Sequence, residues 1–183
     1  DRGSSVTDTS NTPPWITPRD GTMPAALTEL RQWCVWRLET NAKGESTKVP
    51  YRADKPGTHA SSTNPDTWTD YETARRCVEA GKADGPGFVF TDDDGLVFVD
   101  LDDVIDDHGG IDPARRWIVD AMRTHWHLSQ SGRGLHAVAY GAIPAAVKNK
   151  AAGVELYATG RYMAIPAELQ LLEDVTEVTD CAP

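Results

Sequence analysis

Hydrophobic and polar residues alternate singly in several short runs of this chain and recur every three to four positions in two longer ones. Single alternation places successive side chains on opposite faces of a strand, and the longer period marks one face of a helix. "WCVWRLE" (33–39) and "TKVPY" (47–51) read as strands joined by the polar turn "TNAKGES". Pro50 makes the second strand short or puts it at a sheet edge. "GPGFVFTDDDGLVFVDLDD" (85–103) reads as two strands joined at the turn "DDDG". "LHAVAY" (135–140), "GVELYA" (153–158) and "RYMAIP" (161–166) read as further strands.

The helical period appears in "TNPDTWTDYETARRCVEAGK" (63–82), where Thr69 and Glu72 fit a capping box and Gly81 a C-terminal stop. It appears again in "IDPARRWIVDAMRTHW" (111–126). There Asp112 is the expected N-cap, Pro113 takes the first helical position, and Ala114, Trp117, Ile118, Ala121 and Met122 share a face. Hairpins with intervening helices imply an α+β fold with a largely antiparallel sheet. Residues 1–20, rich in Ser, Thr and Pro, read as a flexible segment whose first few positions resemble a cloning remnant. Residues 21–183 read as one domain.

Composition narrows the class. The chain has 183 residues, enough for one sizeable core. No apolar run approaches the ~18 residues that span a bilayer, and no secretory pattern opens the chain, so a cytoplasmic protein without a membrane partner is expected. Cys34, Cys77 and Cys181 lie far apart and suit reduced thiols. A net charge of −10 argues against a generic nucleic-acid binder, but its distribution softens that. Eight acids and no base fall in residues 92–107, while the rest of 21–165 carries 16 basic and 12 acidic residues. A basic surface beside a concentrated acidic one is therefore allowed.

Three segments carry candidate chemistry. The strand "VFVDLD" sends Asp100 and Asp102 to one face and Val97, Val99 and Leu101 to the other. Carboxylates two residues apart sit ~6.6 Å apart along a strand and can share Mg²⁺ or Mn²⁺ or bracket two such ions. An oxygen-only ligand set favours hard cations over zinc. The plainer alternative is a strand running into a solvated acidic loop, which is the expected role of Asp92, Asp93, Asp94, Asp106 and Asp107. In "SQSGRGLHAVAYG" (129–141), Gly132 and Gly134 free the backbone to approach a phosphate, and His136 opens a strand within reach of one. Alone, that segment is equally a hairpin turn with an exposed histidine. In "GVELYATGRYMAIP", Glu155 is a lone acid between apolar neighbours and must face a cation, a base or water. Lys48, in "TKVPY", is a lesser phosphate candidate.

Taken in order, these segments resemble the three motifs of the archaeo-eukaryotic primase superfamily. The resemblance is greater to the primase-polymerase domains of phage and plasmid replication proteins. An apolar strand ending in Asp-x-Asp matches "VFVDLD", Ser-x-x-x-x-His matches "SGRGLH", and an apolar residue followed by an acid matches "VELY". The resemblance covers roughly residues 30–166. It departs at the end, where the family's Thr-Gly follows an Arg-aromatic pair but here precedes Arg161.

The resemblance implies a modified RNA-recognition-motif-like catalytic sheet with a small additional α/β unit. It implies template-directed nucleotidyl transfer and primer synthesis, with single-stranded DNA and nucleoside triphosphates as partners. Two divalent ions, Mg²⁺ or Mn²⁺, would be held by Asp100, Asp102 and Glu155. Ser131, Gly132, Gly134 and His136 would bind the nucleotide, with Lys48 and Arg161 as further phosphate contacts. The domain would be cut from a larger replication protein that includes a helicase.

Three alternatives compete. "VFVDLDDVID" also resembles the first motif of haloacid-dehalogenase-type phosphohydrolases, with Asp100 as nucleophile, although some ninety residues precede it. His125 and His127 resemble the metal pair of a Rep-type nicking enzyme, with Tyr140 or Tyr157 as nucleophile. A non-catalytic nucleic-acid-binding module could use the same kind of sheet.

Overall fold

A computed structural model describes residues 19–172 and 177–180. Most of the expected N-terminal segment, and Cys181, lie outside the described residues. In chain order the elements are β1 (Arg19–Asp20), α1 (Ala25–Thr28), β2 (Trp33–Thr40), β3 (Ser46–Tyr51), α2 (Tyr71–Glu79), β4 (Gly85–Val89) and β5 (Leu96–Leu101). They continue with α3 (Pro113–Ala121), β6 (His125–Leu128), β7 (Leu135–Tyr140), β8 (Val147–Asn149), β9 (Val154–Tyr157), β10 (Tyr162–Ala164) and β11 (Gln170–Leu171). The strands form two antiparallel sheets, one of seven strands ordered β1-β11-β6-β7-β5-β9-β8 and one of four ordered β10-β4-β2-β3. The α+β class and antiparallel pairing expected from the sequence are observed. Pro50 lies on β3, at the edge of the smaller sheet, where its missing N–H interrupts no second ladder.

Alternation along β5 builds two cores. Leu96 and Phe98 join Trp33, Val35, Phe88 and Phe90 between the two sheets. Val99 and Leu101 face the other way and pack with Val119 of α3, Trp126 and Leu135. Aromatic contacts run continuously through the first core. Trp33 meets Phe88 edge-on at 5.2 Å, Phe88 meets Phe90 at 5.0 Å, and Phe90 stacks on Phe98 at 5.4 Å with the rings 8° apart. The last contact bridges the smaller sheet to the larger.

Several local expectations need correction. β4 and β5 do not pair as a hairpin but belong to different sheets. In the intervening turn, the Asp94 carboxylate accepts hydrogen bonds from the Thr91 and Leu96 amides and the Gln32 side chain, redirecting the chain. Helix α2 starts later than its sequence pattern suggests, and its N-cap is Asp70, which accepts from the Thr73 amide, rather than Thr69. Gly81 does end it, at φ 68°. Asp112 and Pro113 start α3 as expected. That helix stops at Ala121, however, and "HWHL" forms β6. The fully buried residue of α3 is Val119, whereas Trp117 is 66% exposed. The free thiols Cys34 and Cys77 are buried. Among the described residues no helix is long and apolar enough to cross a membrane.

Candidate active site

Directly opposed residues of antiparallel neighbours point to the same face of a sheet, so register alone assembles the site. Asp100 on β5 pairs with His136 on β7 and with Glu155 on β9. One strand further out on each side, His136 pairs with His127 and Glu155 with Lys148. His127, His136, Asp100, Glu155 and Lys148 thus form a row across the larger sheet, on the face turned toward the smaller one. Asp102 follows just past the end of β5, where its amide donates to Gly153 O at 2.8 Å and its side chain is exposed. Lys48 extends from β3 of the smaller sheet, and its charge is felt at both Asp100 and His136.

The electrostatics of this row are unbalanced. Asp100 has its carboxyl pushed up to about 7, first by burial and then by the charges of Asp102 and Glu155, against a smaller opposing effect of Lys48. Its Oδ1 is buried with no hydrogen-bond partner and lies 3.5 Å from His136 Nε2. His136 supplies no balancing charge, because burial and then Lys48 push its imidazole down to about 3. The pair is therefore a neutral imidazole beside a carboxyl held back from ionising. A divalent cation would relieve this arrangement: it would satisfy Oδ1 and remove the repulsion that raises Asp100. Among the described residues no three His, Cys, Asp or Glu side chains close on a single point in the manner of a finished metal site. Asp100, Asp102 and Glu155 instead lie near enough for the charges of the last two to act on the first. Glu155 also accepts the hydroxyl of Tyr157, whose ionisation burial and then this bond push up to about 12.

The Ser-Gly loop is the β6–β7 turn. Gly132 adopts φ 72°, and Gly132 N donates to Ser129 O. Gly134 packs so closely that an added Cβ would stand 2.9 Å from both Leu101 O and Ser129 Oγ. Ser131 Oγ is 3.1 Å from Ser129 Oγ and accepts from the Arg133 amide. Arg133 forms ion pairs with Asp103 and Asp107, both at 2.7 Å. Asp106 accepts from the His108 and Gly110 amides, as a turn acid should. His136 is 5% exposed, unlike the exposed histidine of the plainer reading.

The family resemblance groups Asp100, Glu155 and His136 at one site but does not include their neighbours in the row. His125 and His127 follow a helical run and read as its end. They are fully buried on β6, with His125 Nε2 3.0 Å from His127 Nδ1. The period-two pattern of "HWHL" is the available signal, masked by the helical run before it. This enclosure removes the exposed metal pair that a nicking enzyme would need. Lys148 and the Tyr157–Glu155 bond likewise join this site without a signal of their own in the sequence.

No family model matches the chain. Among curated proteins, the DNA primase-polymerase of Nitratiruptor phage NrS-1 is 35% identical to it over 150 residues. The match covers 79% of this chain and 20% of the phage protein, so the chain corresponds to a fraction of that relative's length. Over that stretch the chain is similar to this phage primase-polymerase. The haloacid-dehalogenase reading gains no matching relative.

Proposed function

We propose that this chain is the catalytic domain of a DNA primase-polymerase. It would carry out template-directed nucleotidyl transfer and make primers on single-stranded DNA from nucleoside triphosphates. The observation that supports this most directly is the cross-strand row placing Asp100 between Glu155 and His136, with Asp102 one step beyond. The catalytic unit spans residues 21–183 together with β1 (Arg19–Asp20), which the sequence pattern assigns to the N-terminal segment but which pairs with β11, and the larger sheet is its modified RNA-recognition-motif-like platform. The smaller sheet with α2 is the additional unit that covers the nucleotide. In keeping with the much longer phage relative, the full-length protein would carry further domains, a helicase among them, and work in the cytoplasm of a bacterial host.

Asp100, Asp102 and Glu155 are the carboxylates that hold two Mg²⁺ or Mn²⁺ ions. When bound, such ions stabilise the attacking and leaving oxygens of an in-line displacement at the α-phosphate. The protein's own groups do the rest. The β6–β7 turn offers Ser131 and the open backbone at Gly132 and Gly134 to the triphosphate. His136, neutral and enclosed, is a hydrogen-bond donor rather than a cation. Lys48 approaches from the opposite sheet with a compensating positive charge, and Arg161 stands where β9 leaves the larger sheet for β10 in the smaller. His136 is buried and Asp100 largely so, and this low-dielectric setting would strengthen their electrostatic interactions.

The test is primer synthesis and extension on single-stranded DNA, with ribo- or deoxynucleotides, in Mg²⁺ or Mn²⁺. Wild-type protein should make product. Asp100→Ala, Asp102→Ala and Glu155→Ala should each lose at least about a hundredfold in rate, because each removes charge from the proposed ion site. An inert wild type, or an active Asp100→Ala, overturns the proposal.

A further inference from the structure

The row across the larger sheet continues past Glu155 to Lys148, on the same face as Asp100. A lysine directly opposite a glutamate would ordinarily pair with it across the strands. Here it makes no ion pair with a described residue. Its Nζ lies 5.4 Å from the centroid of the Tyr157 ring, and Glu155 receives the tyrosine hydroxyl instead. Arg161 rests against the same ring, with Cζ 4.8 Å from its centroid, and it too has no ion-pair partner among the described residues. Both residues are exposed. An aromatic ring attracts each cation, but holding two on one ring brings like charges together. An anion between or beside them would relieve that repulsion.

The position of the pair indicates which anion. In an in-line displacement the attacking and leaving groups stand on opposite sides of the phosphorus. His136 and the Ser131 turn lie on the β7 side of Asp100, whereas Lys148 lies on the β8 side, beyond Glu155. With strands ~4.8 Å apart, Lys148 stands about 14 Å across the sheet from His136. If the triphosphate lies along β7, the β8 side faces the attacking hydroxyl. That hydroxyl ends a nucleic-acid strand, and the strand's backbone phosphates extend away from the metal-binding carboxylates.

We propose that Lys148, with Arg161 on the same Tyr157 ring, binds a backbone phosphate of the strand that supplies the attacking hydroxyl. The inference rests on the functional reading above. It assigns the Arg161 phosphate contact to that strand rather than to the nucleotide.

The experiment measures binding of a fluorescently labelled primer annealed to a template, by anisotropy in Mg²⁺ without nucleotide, over a range of KCl. It is paired with the nucleotide KM in primer extension. Lys148→Ala should weaken strand binding on the order of three- to tenfold and lower the slope of log Kd against log salt by about 0.7–0.9. Lys148→Arg should restore both, and nucleotide KM should stay at the wild-type value. Unchanged strand affinity and salt slope in Lys148→Ala overturn the proposal. A raised nucleotide KM with strand binding intact also overturns it, because it would place the phosphate on the nucleotide. The binding arm needs no catalysis. Lys148-dependent strand binding by a protein that makes no product would count against the functional reading alone. An active enzyme whose strand affinity ignores Lys148 would count against this inference alone.

Discussion

At the scale of single residues, Asp100 carries the largest imbalance. Its folded-state pKa, about 7, stands well above that of an ordinary aspartate. A group raised in this way stabilises the fold below its unfolded pKa, and that contribution is lost as pH climbs through the folded value. Metal-free protein should therefore lose stability between roughly pH 4 and pH 7, by on the order of 3 kcal/mol from this group. Chemical denaturation in EDTA at pH 5 and pH 8 checks it. Asp100→Asn should flatten the pH dependence and be the more stable protein at pH 8, although catalytically dead. If the variant keeps the wild-type slope, the strain lies elsewhere. Mn²⁺ at pH 8 should raise the wild-type melting temperature and leave Asp100→Asn nearly unmoved. His136 yields a second expectation. Because burial pushes its imidazole down to about 3, its side chain stays neutral across the working pH range. A rate profile with a step near pH 6.5 that disappears in His136→Asn would contradict this.

At the scale of elements, the turn after β6 and the cap of α2 can be tested independently. Gly134 has no room for a methyl group, because its neighbours include the Leu101 carbonyl of β5. Gly134→Ala should cost about 1–3 kcal/mol and shift the strand bearing Asp100. A Cβ added at Gly132 would meet nothing within 4 Å beyond its chain neighbours, and the φ of 72° alone resists a side chain. Gly132→Ala should cost about 1 kcal/mol. Thermal melts that rank the two the other way would be wrong for this packing. At α2, Asp70→Ala should remove about 1 kcal/mol and Thr69→Ala less, since only Asp70 accepts the Thr73 amide.

The elements also show where sequence stops being sufficient. Period-two alternation determines which faces of β5, β7 and β9 carry Asp100, His136 and Glu155, because alternation is a property of each strand alone. It does not say that β4 and β5 belong to different sheets. Two apolar runs around an acidic turn suit a hairpin or a crossover equally, and the choice goes with the pairing of β4 beside β2, which sets Phe88 opposite Trp33. Similarly, the apolar stripe of α3 has the pattern of a buried face, but Val119 enters the core while Trp117 stays at the surface. A nine-residue helix at the margin of a sheet can bury only part of its circumference.

At the scale of the whole molecule, the proposed function would depend on two sheets keeping a fixed separation. The groups proposed to face the nucleotide are divided between them, with Lys48 on one and Asp100, Glu155 and His136 on the other. The contact that couples them is aromatic: Phe90, at the end of β4, stacks on Phe98, and Phe98 meets His136 edge-on at 5.1 Å. Phe98 is two residues from Asp100 on the same strand face. A change at Phe90 should therefore be felt at the carboxylates without touching them. Phe90→Ala should cost about 3–5 kcal/mol through the cavity it leaves. Phe90→Leu keeps most of the volume and should cost about 1.5 kcal/mol or less while removing the planar contact. The leucine variant is the informative one, because it stays folded. If the stack sets the separation of the sheets, Phe90→Leu should raise nucleotide KM by several-fold, as Lys48 loses its distance to the triphosphate, and should leave strand affinity at its wild-type value. Primer extension over a nucleotide titration, with anisotropy on the same preparations, separates the two quantities. Equal loss of both would mean that Phe90 only holds the protein together. An unchanged KM would mean that the separation is set by the β9–β10 crossing rather than by the aromatic stack.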